Sequence, residues 1–89
     1  MLTENEKYML PEVYYSIFNS LKINYLNYAW EKKIDEYDLS TEFGQKYRMI
    51  IDAKKSVISC DIEKEQAYYK NLIDDAKKYL VSIGGRYIG

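Results

Sequence analysis

The sequence predicts an all-α protein, specifically a small three-helix bundle. Apolar residues recur at helical spacing along nearly the whole chain. The one proline is Pro11, and three of the four glycines fall in the last six residues, so almost nothing between residues 12 and 83 interrupts a helix. Charge also changes sign near residue 60: Lys54 and Lys55 come before it, and Asp61, Glu63 and Glu65 come after. Cations suit a helix C-terminus and anions an N-terminus, so one helix should end and another begin there.

The first helix is expected over about residues 11–37. Proline is tolerated at a first helical position, and Thr3-Glu4-Asn5-Glu6 reads as a capping box that opens a short preliminary turn. At 100° per residue, Leu10, Val13, Tyr14, Ile17, Phe18, Leu21, Tyr25 and Tyr28 share one face and form the core stripe. Ile23, Leu26, Trp30, Ile34 and Tyr37 fall on a second face. The second helix is expected over 41–58, capped by Ser40 or Thr41. It is apolar through Phe43, Tyr47, Ile50, Ile51, Val57 and Ile58, with Gln45, Arg48, Asp52 and Lys55 opposite. The third is expected over 61–83, with Ile62, Tyr69, Leu72, Ile73, Ala76, Leu80 and Ile83 inward and Tyr68 and Tyr79 at the edge. Ser59 or Asp61 can cap it. Gly84 and Gly85 end it, because glycine suits the left-handed residue past a helix. The tail either docks through Tyr87 and Ile88 or frays. The alternative to the break at residues 59–61 is a helical hairpin in which helices two and three are continuous.

Eighty-nine residues make a single domain, 1–89, that buries only about 60–65% of its unfolded surface. Thirteen basic and fourteen acidic residues nearly cancel, so bulk charge marks neither a nucleic-acid nor a membrane-surface binder. Tyrosine is over-represented, eleven against two Phe and one Trp. Its ring packs while its hydroxyl stays wet, which suits the edge of a small core, and some of the eleven are expected at an interface. One cysteine allows no internal disulfide, no 18-residue apolar run spans a membrane, and the acidic start is unlike a signal peptide. A cytoplasmic location is therefore expected. The Lys-, Ile-, Asn- and Tyr-rich vocabulary with two Arg suggests an AT-rich genome, that of a low-GC bacterium or its phage.

The chemistry argues against an enzyme. Histidine is absent, which removes the commonest general base and metal ligand and any Ser–His or Cys–His pair. A zinc site would need its ligands from one Cys and carboxylates. No glycine-rich phosphate loop is present. No cofactor, metal or small-molecule substrate is expected. Glu31, Asp35, Glu36 and Asp38 form the densest acidic patch, but without calcium-loop spacing they read as a solvated helix end. Cys60 near a helix N-terminus is better read as a small filler than as a reactive thiol.

The second apolar stripe is the most informative feature. A three-helix bundle needs one core face per helix, so Ile23, Leu26, Trp30, Ile34 and Tyr37 are either covered within the monomer or form an interface, homodimeric or with another protein, anchored by Trp30. The expected function is a non-enzymatic protein–protein interaction module: a small inhibitor or regulator, for example one encoded by a phage or mobile element against a larger host or defence protein. The alternatives are a small DNA- or RNA-binding transcriptional regulator using Lys46, Arg48, Lys54 and Lys55, a protein resembling bacteriocin immunity proteins in size, acidity and helical build, or a structural assembly subunit.

Overall fold

A computed structural model describes the backbone of residues 4–59 and 61–87, and the side chains within those ranges from Pro11 onward. It contains three α-helices: α1 (Glu4–Lys32), α2 (Glu42–Ser56) and α3 (Ile62–Ser82). They pack as a bundle 44 Å long, with α1 against both others. The chain breaks between α2 and α3, so the continuous hairpin is not formed. Val57 donates to the Ala53 carbonyl, Ser59 to that of Ser56, and the Asp61 carbonyl opens α3 by accepting from Lys64 and Glu65. Asp61 stands at the N-cap by position, but its side chain makes no capping bond. Cys60, Leu10 and Ile88 lie outside the described side chains, and so do the expectations attached to them.

The bounds of α1 correct the sequence reading at both ends. The helix starts at Glu4 and runs through Pro11 rather than starting there. A proline removes one intrahelical donor and crowds the carbonyl four residues back. So close to the N-terminus, that disturbance touches only the opening turns. At the other end the helix stops at Lys32, five residues before Tyr37. Lys33 takes a left-handed conformation, φ 57°. The Ile34 amide then donates to the Ala29 carbonyl at 2.8 Å and the Lys33 amide to that of Trp30 at 3.3 Å. This pair of bonds satisfies the final carbonyls and turns Ile34 back onto the core.

The core is built as patterned. Tyr14, Phe18, Leu21, Tyr25 and Ala29 of α1 are buried, with Ile17 and Tyr28 half-buried. Val13, placed on the same stripe by spacing, is exposed at its edge. From α2 come Phe43, Tyr47, Ile50, Ala53 and Val57. From α3 come Ile62, Tyr69, Leu72, Ile73, Ala76 and Leu80. Complete burial of Phe18 or Leu21 contributes roughly 1.5–3 kcal/mol each before entropy is set against it. Ile51 is half-buried against the core, and Ile58 departs from the expected core, being exposed. Ile51 of α2 and Ile58, in the turn after it, line one depression with Tyr15 and Lys22 of α1.

Tyrosines join the helices by ring and hydroxyl at once. Tyr25 packs at a tilt against Phe43 (centroids 5.2 Å) and donates to the Ala76 carbonyl of α3 at 2.6 Å. Tyr28 donates to the Ile83 carbonyl at 2.6 Å, and the Tyr69 hydroxyl lies 2.8 Å from Ser56 Oγ. Each buried hydroxyl thus replaces its lost water with a bond across the bundle. Tyr87 docks the tail, half-buried against the core with the Lys77 ammonium 4.5 Å from its ring centre.

Candidate functional site

The loop between α1 and α2, residues 33–41, is shaped by its own acids. Asp35 Oδ1 accepts from the Tyr37 amide at 3.0 Å. Asp38 Oδ1 accepts from the Ser40 amide (3.0 Å) and hydroxyl (2.6 Å), which hold its carboxyl below the usual range. Thr41 caps α2, with Oγ1 accepting from the Gly44 amide at 3.0 Å and donating to the Asp38 carbonyl at 2.8 Å. Gly44 is buried here, and a Cβ on it would lie 2.0 Å from that same carbonyl. Two of the four acids of the patch thus serve the turns of the loop. Among the described residues, no group of three or more His, Cys, Asp or Glu side chains is placed to hold a metal ion.

The second stripe of α1 divides. Leu26 sits on its core-facing edge and is half-buried, and Ile34, past the helix end, packs with it. Ile23 and Trp30 lie further round the helix, Ile23 exposed and Trp30 at 85% exposure. Tyr37, in the loop, is 72% exposed and meets the buried Tyr47 edge-on at 5.9 Å. The Tyr47 hydroxyl is pushed up to about 12, first by burial and then by Tyr37 and Glu36 beside it. The five residues are therefore not one ridge. Two are seated on the core and three face outward.

Three shallow depressions lie end to end beside them. Leu26, Trp30, Ile34 and Glu36 line the first. Glu36, Tyr37, Leu39 and Ile51 line the second, and Ile51, Tyr15, Lys22, Lys54, Lys55 and Ile58 the third. Glu36 joins the first pair and Ile51 the second, so the flank between α1 and α2 is one continuous surface. Sequence reasoning missed Tyr15, Lys22, Leu39 and the exposure of Ile58. A trace was present: residues 15, 22, 26 and 30 recur at helical spacing, as do 51 and 58.

Of the four residues proposed for nucleic acid, Lys54 and Lys55 share one depression with Lys22, while Lys46 and Arg48 stand apart from it. Lys46 forms an ion pair with Asp75 of α3 and lies 5.8 Å from the Tyr79 ring centre. Arg48 pairs with Asp52 one turn on, Nε to Oδ1 3.2 Å. Lys54 turns toward α1, 5.2 Å from the Tyr15 ring centre. Arg48 and Lys55, seven residues apart, share the outer face of α2.

The fold and this surface define the class: a tyrosine-stitched three-helix bundle with an apolar flank. No described helix is long and apolar enough to cross a membrane. The chain has no significant match to any family model, curated protein or solved structure.

Proposed function

We propose that this chain is a non-enzymatic protein-binding module, most concretely a small inhibitor or regulator, and that it binds a protein surface, that of another protein or of a second copy of itself, through the flank between α1 and α2. The observation that carries the reading is Trp30. An indole at 85% exposure stands over a depression floored by Leu26 and Ile34, next to Tyr37 and Leu39. Tryptophan and tyrosine beside an apolar depression are the residue types that dominate binding energy at protein interfaces. The absence of histidine supports the non-enzymatic part, and the single cysteine is compatible with a cytoplasmic setting. A phage or mobile-element source rests on composition alone.

Affinity purification from the native host, read by mass spectrometry, tests the proposal. The wild type is expected to retain a protein that the Trp30→Ala and Tyr37→Ala variants lose while keeping full helicity. Equal recovery with all three would sink it. The nucleic-acid alternative draws support from Lys22, Lys54 and Lys55 around Tyr15. It requires a mobility shift that strengthens at low salt and is lost on Arg48→Ala with Lys55→Ala.

A further inference from the structure

We infer that the partner on this flank is a second copy of the chain, packed antiparallel about a twofold axis. The inference rests on the protein-binding reading and names its partner. The carrying observation is the distribution of charge along the continuous surface. At one end Lys22, Lys54 and Lys55 line a single depression around Tyr15 and Ile58. At the other, Glu36 lines both remaining depressions, beside Lys33 in the first and Arg48 in the second, and the exposed Asp35 and Asp38 of the same loop give that end its acidic balance. Arg48, on the wall of the second depression, is paired with Asp52, so it does not offset the acids of the loop.

A flank that is basic at one end and acidic at the other is its own complement when turned end for end. A twofold axis near Ile51 sets each lysine cluster opposite the acidic loop of the other copy, and does so twice. It also sets the projecting Trp30 of each copy over the depression of Tyr15, Lys54 and Ile58 in the other, where the indole meets an apolar wall and a cation. Ile58, 63% exposed, is covered in the same step. The contact is isologous, so it closes at two copies instead of growing into a filament. A molecule 44 Å long and 16–23 Å across offers a lengthwise face of the same order as the roughly 800 Å² per partner that a stable interface buries. The competing occupants satisfy one end only. A phosphate backbone suits the lysines and is repelled by the loop, and a uniformly basic protein meets the reverse.

Charge exchange tests the arrangement. The mass in solution is measured by light scattering from micromolar to millimolar concentration, with circular dichroism as the check on folding. Wild type is expected to approach twice 10.6 kDa and to dissociate on dilution. Lys22→Glu with Lys55→Glu puts acid against acid, and Glu36→Lys puts base against base, so each variant alone is expected to be monomeric while folded. Their equimolar mixture is expected to recover the double mass, because each altered end then faces an opposite charge. Trp30→Ala is expected to be monomeric. Failure of the mixture to recover the dimer, or a dimer indifferent to all these variants, overturns the antiparallel pairing. A wild type monomeric throughout overturns the second copy as partner. The broader reading then still stands if Trp30→Ala loses a host protein, and falls if it does not. A wild-type monomer that shifts duplex DNA would assign the flank to nucleic acid instead.

Discussion

The ends of α1 and α3 are closed by the same device, and only one of them announces it. After α3, Gly84 is left-handed at φ 93°, its amide donating to the Val81 carbonyl at 3.0 Å and that of Gly85 to Leu80 at 2.9 Å. After α1, Lys33 takes the left-handed role and Ile34 makes the longer-range bond. Glycine adopts that conformation without strain, and lysine does so against a steric cost. The difference lies in the segment each helix leads into. The described segment after Gly84 brings Tyr87 onto the core. The loop after Lys33 must seat Ile34, turn on Asp35 and Asp38, and hand the chain to Thr41 within nine residues. Tertiary demand, not local preference, ends α1.

The sharpest way to break this contrast is at Gly44, where the loop touches α2. Gly44→Ala drives a methyl into the Asp38 carbonyl and is expected to cost about 3 kcal/mol, the upper range for overpacking. Urea unfolding would measure it. A loss below the error of that experiment would mean the loop is not locked to the helix. At the other end, Gly84→Ala meets no neighbouring atom, and only its positive φ opposes it. The expected loss is about 1 kcal/mol. Alkali probes the loop end through Tyr47. Its hydroxyl sits at about 12 in the fold, above the ordinary tyrosine value near 10. Burial raises Tyr14, Tyr25 and Tyr79 in the same direction. The unfolded chain therefore releases protons first, so stability is complete below about pH 10 and falls as pH rises through about 12. Chemical unfolding across that window should show the decline, and a flat profile would contradict the burial of these phenols. Lys33→Gly reverses the sign: it removes the strain and is expected to raise stability by about 0.5–1 kcal/mol, less the added freedom of the unfolded glycine.

The same contrast explains which parts of the fold are legible in the sequence. The inward face of α3 is legible almost residue for residue, because Ile62, Tyr69, Leu72, Ile73, Ala76 and Leu80 keep one period and the glycines mark the stop. The break before it is legible from the reversal of charge. The end of α1 is not, because no glycine or proline stands between Lys32 and Tyr37 and the signal is the packing of Ile34. Its start is hidden because Pro11 reads as a boundary wherever it stands. On the flank, spacing identifies Trp30 and its stripe as surplus to one core. It cannot say that Leu26 and Ile34 fold inward while Ile23, Trp30 and Tyr37 stay out, since that depends on where α2 lies. Spacing puts Ile58 in the core for the same reason: period gives the stripe, and only the neighbouring helix gives its edge.

The smallest expected effect is the most decisive for function. Trp30→Ala removes the largest side chain of the chain and should change the stability of the isolated protein by less than about 0.5 kcal/mol, as befits an exposed position. Leu26→Ala, one turn earlier on the same stripe, should cost about 1–2 kcal/mol, because its side chain is half-buried against the core. Measured side by side by thermal unfolding, at protein concentrations low enough to keep the chain monomeric, the pair divides the stripe into fold and surface. If both variants destabilise alike, the indole is part of the core and neither proposed complex has its anchor. If Trp30→Ala is silent at low concentration but lowers the unfolding temperature at high concentration relative to wild type, the indole stabilises only the associated state. That concentration dependence is what a second copy on this flank requires.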